Sequence, residues 1–278
     1  MTDVRTHSAP TTTQEYAPAS NQTGGYIWYE LMTTDAQGAK EFYDAVIGWN
    51  IGEDVAEYNG YRMINRSDGK FAGGVLPLTD EMIQRGARPT WLGYIHVEDV
   101  DRAAAQIEQA GGKTLMKHDI PNVGRIAMVT DPQGAPFYIM KPIPPANDPH
   151  AKSDVFSPSA LQRVGWNELS TSDPAAARRF YADQFGWTSE DFMPMGENGE
   201  YRFFKHGEVT IGALAGTMDG QPPHWRYYFR VPSISKAQQA AEEKGGTIRM
   251  GPHEVPTGEW ILIGSDPQGA EFALVGGK

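Results

Sequence analysis

Two glutamates in apolar, strand-like segments are the residues of this chain best placed to do chemistry. Glu30 lies in the segment Tyr26–Thr33, two residues after Trp28, and Glu168 follows Trp166 at the same distance. Glutamate is a poor strand former, and an isolated buried carboxylate is costly unless it is paired, protonated or functional. The two positions are therefore candidate catalytic residues.

Three interpretations of these glutamates stay open at this stage. Each carboxyl group could be structural, hydrogen-bonded to the backbone or to an arginine such as Arg62 or Arg202, which follow tyrosines in the sequence. Each could instead contact a ligand. Each could also act as a general base whose pKa is raised by burial and which removes a proton next to a carbonyl group.

The glutamates belong to an internal repeat that divides the chain. Residues 28–49 and 166–187 are identical at 10 of 22 positions without a gap, and the sequence DPQGA occurs at both 131–135 and 266–270. The repeat predicts two homologous domains, at 24–141 and 161–278. A proline-rich linker is predicted at 142–160, and the polar residues 1–23 are predicted to form a disordered tail.

Hydrophobic periodicity predicts the same elements twice within each copy. Tyr26–Thr33 is typical of a strand, and Gly48 is typical of a helix end. The helix N-cap is predicted at Asp35 or Thr34, and at Asp173 or Ser172 in the second copy. Each domain then reads as two strand–helix–three-strand units. The predicted fold class is α+β, with four βαβββ units in two tandem domains. Pairing two units covers their exposed edges and gives a curved, barrel-like mixed sheet with a central cleft.

Composition narrows the possible functions. The chain has 278 residues, a formal net charge of −11 and no cysteine. Such an acidic chain disfavours nucleic acid and anionic membranes as partners, and the absence of cysteine excludes thiolate chemistry. The start of the chain lacks the apolar run of a secretory signal, so we expect a cytoplasmic protein. A chain that contains two copies of one domain is expected to be a monomer or a homodimer.

The pattern resembles the vicinal oxygen chelate superfamily, which includes glyoxalase I, extradiol dioxygenases and bleomycin-resistance proteins. The resemblance rests on the first strand followed by T-x-D and FY-x-x-x-x-GW, on D-V-D-x-A at 99–103, on Gly-Gly and on the DPQGA turn. It spans about 24–141 and 161–276. It implies two tandem glyoxalase-like domains, each with a cleft for a small molecule.

The resemblance also implies where a metal would be bound in active members. A first-strand histidine usually lies seven residues before the Asp that starts the helix, and a last-strand glutamate usually lies four residues after the turn glycine. This chain has other residues at those positions: Trp28, Leu92, Trp166, Arg226, Tyr138 and Ala273. These residue types are poor ligands for Mg, Zn or Fe. We therefore predict no metal and no other cofactor; His96 is the nearest substitute ligand.

Strand alternation predicts which side chains share the cleft with the two glutamates. The predicted ligand-binding residues are Trp28, Tyr94, His96, Tyr138, Trp166, Arg226 and Tyr228. They favour a protein that binds or transforms a small aromatic or carbonyl-containing molecule without a family-type metal. If the protein is an enzyme, a lyase or isomerase activity is expected. Two alternatives stay open: a bleomycin-resistance-like sequestering protein without turnover, and a metal-dependent lyase or dioxygenase with atypical ligands.

Overall fold

The computed structural model describes residues 22–54, 59–217 and 220–278. The predicted tail therefore lies outside the described residues except for Gln22 and Thr23. The first domain consists of β1 (Tyr26–Thr33), α1 (Ala36–Ile47), β2 (Asn50–Ile51), β3 (Arg62–Asn65), β4 (Phe71–Pro77), α2 (Asp80–Gln84), β5 (Thr90–His96), α3 (Val100–Gln109), β6 (Lys113–Ile120), β7 (Gly124–Thr130) and β8 (Pro136–Pro142).

The second domain repeats this order without a counterpart of the short helix α2 among the described residues. Its elements are β9 (Val164–Thr171), α4 (Pro174–Phe185), β10 (Phe192–Pro194), β11 (Glu200–His206), β12 (Val209–Gly216), β13 (His224–Val231), α5 (Ile234–Glu243), β14 (Thr247–Glu254), β15 (Trp260–Ser265) and β16 (Glu271–Gly276).

Each domain forms one eight-stranded mixed sheet. The strand orders are β2-β3-β4-β1-β5-β8-β7-β6 and β10-β11-β12-β9-β13-β16-β15-β14. In both sheets the first strands of two successive units pair antiparallel at the centre, and each pairs parallel with the last strand of its own unit. The predicted α+β class with four units in two tandem domains is confirmed; the sheets are curved but do not close into barrels.

Local sequence signals set the ends of the first helix in each domain. The Asp35 side chain accepts hydrogen bonds from the backbone N–H groups of Gln37 and Gly38, and Gly48 ends α1 in the left-handed conformation with φ 82°. Gly186 ends α4 with φ 69° in the same way. The N-cap and C-cap predictions are confirmed because short-range hydrogen bonds determine these positions.

The outer faces of the two sheets and the helices share one hydrophobic core that joins the domains. Polar contacts cross this boundary. The Tyr43 hydroxyl donates to Asp266 at 3.1 Å and accepts a hydrogen bond from the indole N–H of Trp91 at 2.9 Å. The turn aspartate of one domain therefore also holds the helix of the other. The reciprocal set is Trp225, Tyr181 and Asp131.

The second half of the linker packs onto the domains. Val155 and Phe156 are buried in the shared core. Asp154 accepts hydrogen bonds from the buried guanidinium of Arg66 at 2.9 Å and from Arg163 at 3.0 Å. These ion pairs fix the point at which the chain passes from one domain to the next.

Candidate functional site

The side chains on the face of the first sheet opposite the shared core form a separate cluster, here called the domain 1 cleft. Alternation along β1 places Trp28 and Met32 on this face, and alternation along β5 adds Leu92 and Tyr94. The other buried members are Ile27, Ile126, Tyr138 and Met140. Strand parity accounts for Trp28, Met32, Leu92 and Tyr94, whereas Ile27 joins the cluster out of parity, at the irregularity in the pairing of β1 between Tyr26 and Trp28.

Glu30 is the buried carboxyl group of the domain 1 cleft. The residue is 4% exposed, and its Oε1 atom has no hydrogen-bond partner among the described residues. Burial raises the pKa of Glu30 to about 7, and hydrogen bonds from the hydroxyls of Tyr94 and Tyr61 oppose part of that rise. A carboxyl group with this pKa can both accept and release a proton near neutral pH.

Tyrosine hydroxyls surround the Glu30 carboxyl group. Tyr61 accepts a hydrogen bond from the indole N–H of Trp28 at 2.9 Å. The rings of Tyr94 and Tyr138 stack with centroids 4.2 Å apart at an angle of 14°. Burial, together with the charge of Glu30, raises the pKa of each of these three tyrosines, so their hydroxyls stay protonated and can donate hydrogen bonds.

A glycine on β4 makes room for one of these hydroxyls. A Cβ atom added at Gly74 would overlap the Tyr61 hydroxyl and ring. Gly74 pairs in register with Glu30 on the neighbouring strand β1. The missing side chain at Gly74 therefore lets Tyr61 lie against the sheet close to Glu30.

Methionines make up much of the apolar wall around Glu30. Met32 and Met140 are buried in the cleft, and three partly buried methionines pack against them: Met82, Met116 and Met128. Methionine side chains are flexible and polarisable and adapt their packing to aromatic surfaces. The wall therefore combines an apolar character with the ability to rearrange around a flat ligand.

The second domain repeats the aromatic part of this arrangement around Glu168. The indole N–H of Trp166 donates to the Tyr201 hydroxyl at 2.8 Å, and that hydroxyl donates to Glu168 Oε2 at 2.7 Å. The Tyr228 hydroxyl lies 3.3 Å from both carboxylate oxygens. Both domains thus place one tryptophan and two tyrosines around a glutamate.

One residue makes the two glutamates electrostatically different. Leu92 pairs in register with Glu30, and Arg226 is the corresponding partner of Glu168. The Arg226 guanidinium donates to Glu168 Oε1 at 2.6 Å and to Glu271 at 2.7 Å. Glu168 is therefore held in an ion pair, whereas Glu30 forms no ion pair with any described residue and accepts hydrogen bonds from tyrosine hydroxyls.

His224 completes the ion-paired network of domain 2. Its Nε2 atom lies 3.6 Å from Glu271 Oε1 and 3.2 Å from a guanidinium nitrogen of Arg226. The contact with Glu271 raises the pKa of His224. Burial alone would raise the pKa of Glu271, but hydrogen bonds from His224 and Arg226 outweigh it and lower that pKa to about 2.

The arginines considered as partners of the glutamates lie elsewhere. Arg62 donates to the Gln37 side chain at 2.9 Å, and Arg202 donates to Glu200 at 2.7 Å. The interpretation that these arginines pair with the glutamates is therefore wrong. In each Tyr–Arg dipeptide the tyrosine points to the glutamate, because neighbouring residues of a strand face opposite sides of the sheet.

His96 is the last residue of β5 and pairs in register with Met140 of the domain 1 cleft. The residue is buried, and its Nδ1 atom has no hydrogen-bond partner in the described part of the chain. Burial lowers the pKa of His96, and its charged neighbours are Glu98 and Lys141. The hydrogen bonds that reach the Glu30 carboxyl group come from Tyr94 and Tyr61 and not from His96.

The side chains of the cleft do not fit the metal centre that the family resemblance implies. At the positions of the usual ligands the structure presents an indole, aliphatic groups, a phenol and a guanidinium. Within residues 22–54, 59–217 and 220–278, no three His, Cys, Asp or Glu side chains are grouped so as to hold a metal ion. The lack of a family-type metal site stays a prediction.

The paired sheets and their two clefts define the class of protein. The family model "Glyoxalase/Bleomycin resistance protein/Dioxygenase superfamily" matches residues 25–139 and 163–274. The chain therefore belongs to this superfamily, with one family unit in each domain. This confirms the resemblance inferred from the repeated motifs.

Curated relatives extend over almost the whole chain. It is 31% identical over 251 residues to "Putative glyoxylase CFP32" of Mycobacterium tuberculosis, which covers 89% of this chain and 93% of that protein. It is 27% identical over 265 residues to the "Anthracycline biosynthesis protein DnrV" of Streptomyces peucetius, with 91% and 93% covered.

Solved structures show the same fold at low sequence identity. Homoprotocatechuate 2,3-dioxygenase from Brevibacterium fuscum aligns with a TM-score of 0.62 and 20% identity, over 96% of this chain and 83% of that one. The 2,3-dioxygenase LapB from Pseudomonas sp. KL28 aligns with a TM-score of 0.59 and 13% identity, over 93% and 94%. No helix among the described residues is long and apolar enough to cross a membrane.

Proposed function

We propose that the domain 1 cleft binds a small, flat aromatic molecule that carries a carbonyl group, and that Glu30 moves a proton to and from the carbon next to that carbonyl. The observation that carries this proposal is the Glu30 carboxyl group, buried among tyrosines and methionines with one oxygen unpartnered. Aromatic walls bury a large area of a flat ligand at a small cost in entropy.

The proposed step is a proton transfer without redox chemistry. The ionised Glu30 carboxylate takes a proton from the carbon, and the electron pair of the broken C–H bond moves into the carbonyl to form an enolate. The hydroxyls of Tyr61 and Tyr94 each donate their one proton to the ionised Glu30; once Glu30 has taken up the substrate proton, these donors can turn to the enolate oxygen and stabilise it. Return of the proton from the carboxyl group to carbon completes an exchange or an isomerisation.

The two domains are not equivalent in this proposal. The Glu168 carboxylate is already bound by Arg226 and Tyr201, so a proton acceptor there would first have to break an ion pair. The apolar cluster of domain 2 is also smaller and contains no methionine among the described residues. Glu30 is therefore the proposed catalytic residue, and Glu168 is proposed to be structural.

The name of one curated relative agrees with this class of ligand. One curated relative is named as a glyoxylase and another as an anthracycline biosynthesis protein. The second name concerns compounds with fused aromatic rings and carbonyl groups, which suit the shape and the chemistry of the domain 1 cleft. The solved dioxygenases support only the fold.

Proton exchange into an aromatic ketone tests the proposal. 2-Tetralone is flat, and the hydrogens on its C1 atom are next to both the ring and the carbonyl. In D2O near pH 7, proton NMR should show that the protein accelerates the loss of the C1 signal well above the rate in buffer. Glu30→Gln should lose this acceleration because glutamine cannot take up the proton.

Glu168→Gln is the matched control, since it makes the same change at the repeated position. It should retain the acceleration if it is folded by circular dichroism. Equal losses in both variants, or exchange by Glu30→Gln at the wild-type rate, would contradict the role of Glu30. Tight binding of 2-tetralone without any exchange would favour the alternative of a sequestering protein.

A further inference from the structure

A cavity lies at the boundary between the two domains, and none of the side chains that form the domain 1 cleft lines it. Its volume is about 350 Å³, within the range of pockets that hold small molecules. Domain 1 contributes the start of β5, and domain 2 contributes the starts of β13 and β16. The lining residues are Pro89, Thr90, Trp91, Gln221, Pro222, His224, Trp225, Arg226, Tyr227, Arg249, Gly269 and Glu271.

The walls of this boundary cavity differ in chemistry. One wall is mostly apolar: Pro89 and Pro222 are partly or fully exposed there, whereas Trp91 and Trp225 belong to the shared core and contribute only small exposed areas, being 3% and 6% exposed. The other is charged and carries three basic side chains beside the single acidic residue Glu271; the basic ones are His224, Arg226 and Arg249. Glu168 and Glu271 both pair with Arg226, so Arg249, whose side chain is 54% exposed, is the positive charge that this wall presents to a ligand. It favours an anionic ligand over a neutral or cationic one.

Arg249 is the basic residue with hydrogen-bonding capacity to spare. Its Nη1 atom is 3.7 Å from Glu271 Oε2, and 54% of its side chain is exposed. Arg226, in contrast, is engaged by Glu168, Glu271 and His224. A guanidinium group with free donors binds carboxylates in a planar, two-pronged geometry.

We propose that the boundary cavity is a binding site for a small aromatic carboxylate, with its carboxylate on Arg249 and its ring against Pro89 and Pro222, beside the small exposed areas of Trp91 and Trp225. This site is separate from the domain 1 cleft and does not depend on the chemistry proposed for Glu30. Both domains contribute to it, so it exists only in the joined chain.

Isothermal titration calorimetry with 1-naphthoate at pH 6.5 tests this site. We expect one naphthoate per chain and at least tenfold weaker binding of 1-naphthamide, which has the same ring system and no charge. Arg249→Gln should weaken naphthoate binding by roughly tenfold or more, as expected for the loss of a charge-assisted hydrogen bond. Arg249 is exposed, so this variant should fold normally.

Arg179→Gln is the matched control, because Arg179 is exposed on α4, away from the cavity lining. It should bind naphthoate like the wild type, and so should Glu30→Gln. Lack of naphthoate binding by the wild type, equal binding of the amide, or an unchanged affinity in Arg249→Gln would overturn the proposal. A loss of binding in Glu30→Gln would place naphthoate in the domain 1 cleft and would also overturn it.

Discussion

The same substitution at the two repeated glutamates should change stability in opposite directions. At pH 8, Glu30→Gln replaces a buried carboxylate that has no cationic partner, and Glu168→Gln removes a charge that pairs with Arg226 at 2.6 Å. The first variant should be more stable than the wild type. The second should be less stable by about 2 kcal/mol, since it leaves a mostly buried guanidinium with one partner fewer.

The pKa of Glu30 gives the size and the pH range of the first effect. Its carboxyl group ionises near 4.5 in an unfolded chain and near about 7 in the folded protein. The folded state therefore binds the extra proton, and the free energy of unfolding falls as the pH rises from about 4.5 to about 7. With 1.36 kcal/mol per pKa unit, this group costs the wild type about 2.5 kcal/mol between pH 5 and pH 8.

Urea unfolding followed by circular dichroism at pH 5 and pH 8 measures this cost. The free energy of unfolding of Glu30→Gln relative to the wild type should increase by about 2.5 kcal/mol from pH 5 to pH 8. The glutamine amide does not titrate, so its own effect on stability is the same at both pH values and cancels in this difference. A relative stability that does not change with pH would refute the reasoning. It would mean that Glu30 is ionised at pH 5 as well as at pH 8 in the folded protein.

Three further changes test other parts of the structure. Tyr43→Phe should lower the free energy of unfolding by about 1 to 2 kcal/mol in urea, because it removes the hydrogen bond to Asp266 across the domain boundary. Asp154→Asn should lower the melting temperature more at pH 7 than at pH 3; ion pairs with two arginines lower the pKa of this carboxyl group, so their stabilisation is present above its ordinary value of 3.8 and is lost as the pH falls. Gly74→Ala should displace the Tyr61 hydroxyl from Glu30 and slow 2-tetralone exchange by roughly tenfold or more, with little loss of the circular dichroism signal.

Short-range signals in the sequence predict much of the fold. The bounds of β1 agree with the predicted segment Tyr26–Thr33, and Asp35 and Gly48 cap α1 as expected. These features depend on residues a few positions apart. The repeat shows each of these signals twice, so the two-domain organisation can be predicted from the similar segments 28–49 and 166–187.

Contacts between residues that are far apart in the sequence could not be predicted. Alternation along a strand places Glu30 and Tyr94 on one face, but Tyr61 reaches Glu30 from the position just before β3, and periodicity carries no information on that distance. The repeated Tyr–Arg dipeptides are the available signal, and it is their tyrosine, not their arginine, that contacts the glutamate. The ion pair of Arg226 with Glu271 likewise depends on the parallel pairing of β13 with β16.

The protonation of Glu30 can be measured directly by carbon NMR of protein labelled at the glutamate carboxyl carbons. One signal should titrate with a midpoint near 7, and it should be missing in Glu30→Gln and present in Glu168→Gln. That result would show that domain 1 holds a buried proton acceptor suited to neutral pH. If the signal missing in Glu30→Gln titrates near 4.5, Glu30 is an ordinary carboxylate and the proposed proton transfer loses its physical basis.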